Sequence, residues 1–207
     1  MIGFYNYSVI VTYIGVALSV SGMALASTGQ FKFAILCLAL VGACDTFDGK
    51  IARAMKNRTK EMEIFGIQID SLCDMVCFGV TPVIISYQMG LNSVWGIAIE
   101  ILFVLCGVIR LAYFNVLEEL KHTNPETDQA KGYRGLPITT ITIIYPIVYL
   151  FHPLVSHETF LLFLAIMHIV VAFLYVLDFK LKKPGNSVIA AMMVLVTAVM
   201  VCILFVE

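Results

Sequence analysis

Residues 33–53 have the sequence FAILCLALVGACDTFDGKIAR, an apolar run long enough for one membrane span that ends in a group of charges. A helix needs about 20 mostly apolar residues to cross a bilayer. Near the end of the run, Asp45 and Asp48 are three residues apart, so both carboxylates fall on one face of a helix. This stretch therefore predicts a membrane helix that carries a polar site.

The composition of the whole chain is that of a membrane protein. Of its 207 residues, 60% are hydrophobic and 13% are charged, with a mean hydropathy of +0.95, whereas soluble domains carry roughly 25% charged residues. The net charge of −1 does not indicate a nucleic-acid partner. The six cysteines lie in apolar runs, where cysteine acts as a small hydrophobe, so neither a disulfide framework nor a zinc site is expected.

Seven apolar stretches are predicted to be transmembrane helices, and together they leave no room for a separate soluble domain. We therefore expect one all-α membrane domain over residues 1–207. The first stretch follows no basic region and precedes no cleavage site, which favours a retained span over a signal peptide. The predicted spans are residues 8–26, 33–53, 64–88, 94–117, 136–152, 158–177 and 187–206.

The basic residues predict the orientation, because Lys and Arg accumulate in the short loops that remain in the cytoplasm. The even-numbered loops hold ten of these residues, whereas the odd-numbered loops hold Lys32 alone. The N-terminus is therefore expected in the cytoplasm. The ten residues are Arg53, Lys56, Arg58, Lys60, Lys121, Lys131, Arg134, Lys180, Lys182 and Lys183.

A second acidic pair, Asp70 and Asp74, lies in the third predicted span, again on one helix face. Four carboxylates that converge between two neighbouring helices repel each other unless cations neutralise them. Hard divalent ions with oxygen ligands, Mg²⁺ or Mn²⁺, fit such a cluster. The alternative is that the acids form buried ion pairs with Lys50, Arg53 or Arg110.

The depth of the acids distinguishes lipid chemistry from ion transport. With about 1.5 Å of rise per residue, the carboxylates lie roughly 8 to 16 Å inside the cytoplasmic edge. Ion-coupled transporters usually bind near the midplane between broken helices, so a divalent-cation transporter is the less favoured alternative. Two metal ions about 3.5–4 Å apart suit a phosphoryl displacement. The small residues Gly49, Ala52 and Gly66 would let a ligand approach the backbone, although they also suit helix packing.

The chain resembles the CDP-alcohol phosphotransferases, membrane enzymes that move a phosphate-bearing group from a CDP-linked donor to an alcohol. Further stretches at residues 65–82, 110–116 and 135–137 are similar to the membrane-embedded bacterial and archaeal branch that uses L-serine as the alcohol. The family resemblance rests on eight positions in order, Asp45, Asp48, Gly49, Ala52, Arg53, Gly66, Asp70 and Asp74.

The resemblance implies a phosphatidyltransferase that acts on CDP-diacylglycerol and L-serine and releases phosphatidylserine and CMP. It implies a homodimer in a bacterial or archaeal plasma membrane, with the active site facing the cytoplasm. Glycerol phosphate or inositol phosphate as the acceptor is the alternative within the family.

The resemblance also implies roles for the motif residues. Asp74 would be the general base that removes the proton of the serine hydroxyl, and Gly49, Ala52 and Arg53 would contact the CDP moiety, with Gly66 beside them. Two ions of Mg²⁺ or Mn²⁺ would be held by Asp45, Asp48, Asp70 and Asp74.

Candidates for the acceptor site are less specific. Arg110 lies about 10 Å from the cytoplasmic end of the fourth predicted span, at the depth of the acids. Because a guanidinium group binds a carboxylate at two points, Arg110 is either the anchor of the serine carboxylate or a counter-ion of the aspartates. Asn115 and Arg134 are weaker candidates for contacts with the acceptor or the donor phosphate. Glu100 and His168 are expected to be satisfied polar groups that face protein.

Overall fold

The structure is a computed structural model of the chain. It describes residues 3–4, 7–54, 59–123, 133–181 and 185–205, and within them the side chains of all but residues 7, 8, 48, 50, 52–54, 121–123, 133, 134, 181 and 186. The predicted sites at Asp48, Ala52, Arg53 and Arg134 therefore concern side chains outside the described part.

The described chain is built almost entirely from helices. Two two-residue strands, β1 (Tyr133–Arg134) and β2 (Lys180–Leu181), pair antiparallel. A π-helix, Met75–Val80, joins α3 to α4, and a 3-10 turn, Ile138–Thr140, precedes α6. The α-helices are α1 (Tyr7–Ser27), α2 (Phe31–Ala54), α3 (Lys60–Asp74), α4 (Thr81–Gln88), α5 (Val94–Thr123), α6 (Ile141–Tyr149), α7 (His157–Val176) and α8 (Asn186–Phe205).

The predicted all-α membrane fold is confirmed. Among the described residues, five helices are long and apolar enough to cross a membrane, and they coincide with the first, third, fourth, sixth and seventh predicted spans. The second predicted span coincides with α2, which has 24 residues and carries the first acidic pair. The five helices are Val9–Ser27, Lys60–Gln88, Val94–Leu120, His157–Val176 and Ser187–Phe205.

The fifth predicted span, residues 136–152, is shorter than expected. Its apolar helix covers Ile138–Tyr149 and has less than the length that a full span needs. Pro137 has an extended backbone conformation, so the helical turn begins only at Ile138. Pro146, inside α6, has no backbone N–H to donate to the helix. A total of seven spans therefore remains a prediction.

The joint between α3 and α4 was not predicted. The backbone N–H and the hydroxyl of Thr81 both donate to the carbonyl of Val76, five residues earlier, the hydroxyl at 2.9 Å. Pro82 follows directly and has no N–H with which to continue an α-helical ladder. The side chain of Met75 occupies the space that a Cβ on Gly79 would need. The extra residue of the π-helix thus has local causes in the sequence.

Close contacts at glycines set the distance between several helices. A Cβ on Gly22 of α1 would lie 3.1 Å from the Cβ of Cys37 on α2. The side chain of Thr142 on α6 fills the space that a Cβ on Gly42 of α2 would need. Since α2 carries Asp45 one turn after Gly42, the second contact bears directly on the placement of the acidic residues.

One of two buried polar residues differs in part from expectation. Glu100 and His168 do face protein, with exposed fractions of 4% and 0%. However, Oε1 of Glu100 has no hydrogen-bond partner among the described residues, so the expectation that Glu100 is fully satisfied was wrong. The ring of His168 packs edge-on against Phe103, with 4.8 Å between the ring centroids. Spacing in a sequence indicates which residues are buried, but it does not show whether a hydrogen-bond partner lies opposite them.

Candidate metal centre

Three of the four predicted acids meet in the structure. Asp45 of α2 and Asp70 and Asp74 of α3 each offer a carboxylate oxygen, and the three oxygens lie within 4.8 Å of one another. All three residues are half-buried. The two residues of α3 are one helical turn apart and share a face, whereas Asp45 comes from the neighbouring helix.

The local structure of both helices supports this arrangement. Helix α3 begins at Lys60 after the N-cap Thr59, whose hydroxyl oxygen accepts from the N–H of Met62 at 3.3 Å. On α2, the hydroxyl of Thr46 donates to the carbonyl of Gly42 at 2.9 Å, so this side chain folds back on its own helix. Asp45 is therefore on a regular stretch of α2, and its carboxylate reaches those of Asp70 and Asp74.

The donor set fits a hard divalent cation. Carboxylate oxygens are the ligands that Mg²⁺ and Mn²⁺ prefer, and three like charges at this separation favour a cation between them. Cys73 and Cys77 are buried on the same stretch of chain, but their sulfur atoms do not belong to the group of ligand atoms that meet in the described residues. The chemistry of the site is therefore that of oxygen ligands.

The two described glycines of the predicted nucleotide site lie beside the aspartates along their helices. Gly49 follows Asp45 by one turn of α2, and Gly66 precedes Asp70 by one turn of α3. Both are half-buried. The side chains of Asp48, Ala52 and Arg53 lie outside the described residues, so their roles stay predictions.

Asn115 is tied to the helix that carries the second acidic pair. The hydroxyl of Ser71 donates to Oδ1 of Asn115 at 2.7 Å, and Nδ2 of Asn115 donates to Oε1 of Gln68 at 3.4 Å. Ser71 is adjacent to Asp70 in the chain. The sequence analysis singled out Asn115 but missed Ser71 and Gln68, which only the packing of α3 against α5 brings to it.

Arg110 is buried, with an exposed fraction of 5%, and its Nε donates to the backbone carbonyl of Leu136 at 2.9 Å. The sequence position of Arg110 suggested a substrate anchor or a counter-ion of the aspartates, and nothing in the sequence indicated a backbone acceptor. The sequence also did not indicate Tyr175, whose hydroxyl donates to the carbonyl of Ile138 at 2.9 Å. In the sequence, residues 135–137 stand out only as a motif. In the fold, the carbonyl of Leu136 in this segment accepts the hydrogen bond from Arg110.

Comparison with known proteins identifies the class. Residues 5–177 match the model of the CDP-alcohol phosphatidyltransferase family, and the chain belongs to this family. This result confirms the resemblance carried by the eight motif positions and removes the support for a divalent-cation transporter. Enzymes of the family use divalent metal ions, in agreement with the aspartate cluster. The long apolar helices make the chain an integral membrane protein.

Several relatives are more specific. The chain is 38% identical over 112 residues to the CDP-diacylglycerol–serine O-phosphatidyltransferase of Saccharomyces cerevisiae, a match that covers 53% of this chain and 39% of the relative. It is 33% identical over 126 residues to the enzyme of the same name from Helicobacter pylori, covering 59% and 48%. It is also 33% identical over 127 residues to the archaetidylserine synthase of Methanothermobacter thermautotrophicus, covering 61% and 50%. These matches span half or less of each relative's length.

Proposed function

We propose that this chain transfers the phosphatidyl group from CDP-diacylglycerol to L-serine, giving phosphatidylserine and CMP. The observation that carries the proposal is the group of three carboxylate oxygens within 4.8 Å, built from the motif positions Asp45, Asp70 and Asp74. The choice of serine is supported by the names of the relatives in a yeast and a bacterium.

The site would hold two ions of Mg²⁺ or Mn²⁺ on Asp45, Asp70 and Asp74, with Asp48 as the fourth ligand. Divalent ions supply charge stabilisation for the phosphoryl group and for the departing CMP. The small residues Gly49, Ala52 and Gly66 leave room for the CDP moiety near the backbone, and Arg53 offers a cation to its phosphates.

Asp74 is the general base of the proposed reaction. Its carboxylate accepts the proton of the serine hydroxyl, because an alcohol is a weak nucleophile until that proton is removed. The serine oxygen then bonds to the phosphorus that carries the diacylglycerol. The bond from this phosphorus to the bridging oxygen breaks, and CMP leaves with the electron pair. The proton on Asp74 is released to solvent, which returns the site to its starting state.

The proposed setting is a single domain over residues 1–207 in a bacterial or archaeal plasma membrane. The ten basic residues in the even-numbered loops favour an active site that faces the cytoplasm. The same loops would attract anionic CDP-diacylglycerol to the membrane surface. A homodimer is proposed from the family resemblance.

The test is an acceptor panel with the purified chain in lipid nanodiscs. CDP-diacylglycerol is supplied with Mn²⁺ or Mg²⁺ and with L-serine, glycerol 3-phosphate or inositol phosphate, and CMP release is measured. We expect CMP release that depends on serine and on metal. Release with glycerol 3-phosphate but not with serine would contradict the choice of acceptor, and no release with any acceptor would contradict the transferase itself.

A further inference from the structure

One short segment contacts the helix of Asp45 and the π-helix that continues the helix of Asp70 and Asp74. The 3-10 turn Ile138–Thr140 packs against α2, α5 and the π-helix that follows Asp74. Ile138 is 4% exposed, and its Cδ1 lies 3.4 Å from the position of a Cβ on Gly107 of α5. Just beyond the turn, Thr142 fills the space beside Gly42 on α2. The segment therefore touches the helix of Asp45 and the continuation of the helix of Asp74.

This segment is held by two buried side chains, one on each side of Pro137. Nε of Arg110, on α5, donates to the carbonyl of Leu136 at 2.9 Å. The hydroxyl of Tyr175, on α7, donates to the carbonyl of Ile138 at 2.9 Å. Arg110 is 5% exposed and Tyr175 is 2% exposed, so neither bond competes with bulk water. A bond from a charged donor such as Arg110 is roughly twice as strong as a neutral one.

The backbone before Pro137 is fixed as well. The N–H of Gly135 donates to the carbonyl of Phe179 at 2.8 Å, and the N–H of Leu136 donates to the carbonyl of Leu174 at 3.2 Å. Gly135 has φ +70, and a Cβ there would lie 3.1 Å from the carbonyl oxygen of Leu177. The segment thus enters the bundle along the end of α7 with its position determined on several sides.

We propose that Arg110 and Tyr175 are positioning residues for the metal centre. They clamp Leu136–Ile138, and this segment sets the spacing between Asp45 on α2 and the pair Asp70 and Asp74 on α3. The proposal rests on the metal-binding part of the proposed function. It replaces a contact between Arg110 and serine with an effect that acts through the protein.

Loss of the fixed helix spacing should change the affinity of the site for small and large divalent ions to different extents. Mg²⁺ demands near-ideal octahedral geometry with ligands at about 2.0–2.1 Å, whereas Ca²⁺ accepts 6–8 oxygens at about 2.3–2.6 Å in flexible arrangements. A site whose helices lose their fixed spacing should therefore lose affinity for small ions such as Mg²⁺ and Mn²⁺ more than for Ca²⁺. General loosening of the fold would weaken the binding of all of these ions alike.

The experiment measures Mn²⁺ and Ca²⁺ binding by titration calorimetry on the purified full chain in nanodiscs without substrate. Tyr175→Phe removes one hydroxyl and keeps the ring, so it is the variant that best preserves folding. We expect it to weaken Mn²⁺ binding about three- to tenfold, the effect of one hydrogen bond, and to change Ca²⁺ binding less than about twofold. Arg110→Lys, which keeps the charge but loses the planar fork, should act in the same direction.

The matched control is Tyr149→Phe. Tyr149 is also buried, at 6% exposed, but it stacks on His152 and packs edge-on against Phe160. This control should bind both ions as the wild type does.

Three results would overturn the proposal. The first is wild-type Mn²⁺ affinity in Tyr175→Phe, and the second is an equal loss for Mn²⁺ and Ca²⁺. The third is a raised KM for serine in Arg110→Lys with unchanged Mn²⁺ affinity, which would make Arg110 a substrate anchor. The first two results come from ion titrations without an acceptor. A failure of serine transfer in the wild type would therefore count against the proposed function and leave these two tests of the metal centre intact.

Discussion

The three clustered aspartates, which we propose as metal ligands, lie at half-buried positions. Asp45, Asp70 and Asp74 are only partly covered by protein, and their carboxylate oxygens are close enough to repel each other. Three like charges held close together destabilise the folded protein when no cation is bound. A cluster that is selected for cation binding therefore lowers stability in the absence of the ion.

At the residue scale, the first prediction concerns the general base. Asp74→Asn removes the proton acceptor but keeps the size of the side chain, and general-base catalysis contributes about 10²–10⁴-fold. We expect kcat for serine-dependent CMP release to fall by about that factor, while CDP-diacylglycerol binding is partly retained. The matched control is Glu61→Gln, an exposed acid in the first turn of the same helix, which should keep wild-type activity. Near-full activity of Asp74→Asn would assign the base elsewhere.

A second prediction at this scale concerns metal removal. A ligand that binds only the folded state stabilises it by about 2.7 kcal/mol at a concentration 100 times its Kd. Chelation should therefore lower the Tm of the wild type. Asp70→Asn loses a ligand and relieves repulsion, so its Tm should exceed that of the wild type in EDTA and respond little to added Mn²⁺. Thermal unfolding of both proteins with and without Mn²⁺ checks this, and equal responses to metal would contradict it.

At the element scale, the packing of α2 against α6 depends on the absence of one side chain. Gly42 faces Thr142 so closely that a Cβ would overlap it, and the short branched side chain of threonine has no flexible end that could move away. Two helices that pack at this distance place Asp45 with little freedom. The contact between Gly42 and Thr142 therefore helps to set the position of Asp45 in the candidate metal centre.

The corresponding prediction is that Gly42→Ala pushes α2 away from α6. We expect it to destabilise the protein by about 1–3 kcal/mol, the usual cost of overpacking, and to weaken Mn²⁺ binding. Gly15→Ala on α1 is the matched control, because its Cβ would meet Cγ1 of Val41 at 3.8 Å, an ordinary contact. The control should be neutral or slightly stabilising, as expected for alanine in a helix. Unfolding and metal titration of both variants decide the matter, and equal behaviour would refute the prediction.

The sequence predicted some elements well and others poorly. Of the seven predicted spans, five coincide with described helices of spanning length, because length and hydropathy suffice to predict a membrane helix. The spacing of Asp70 and Asp74 predicted a shared face, since this follows from helix geometry. The bond from Arg110 to Leu136 could not be predicted, because it depends on packing between elements distant in the chain. The π-helix at Met75–Val80 has local causes, but a single extra residue changes neither the length nor the hydropathy of the apolar run by which the span was predicted.

At the scale of the whole molecule, the distribution of charge predicts the orientation. Asn92 and Glu119 are exposed and lie near opposite ends of α5, so they should lie on opposite sides of the membrane. In a variant without native cysteines, Asn92→Cys should react with a membrane-impermeant maleimide in intact cells. Glu119→Cys should react only after the membrane is opened. The reverse pattern would place the aspartates near the outer surface and contradict the proposed cytoplasmic site.

The π-helix between α3 and α4 changes the direction in which the residues of α4 face around the helix axis. One extra residue in a turn rotates everything that follows by about 100° about the helix axis. The residues of α4 are therefore turned by about 100° from the directions that an unbroken α3 would give them. In this orientation Ser86 of α4 meets the hydroxyl of Tyr145 on α6 at 2.8 Å. Deleting the extra residue would turn Ser86 away from Tyr145, although the spacing between Asp70 and Asp74 on α3 would stay the same.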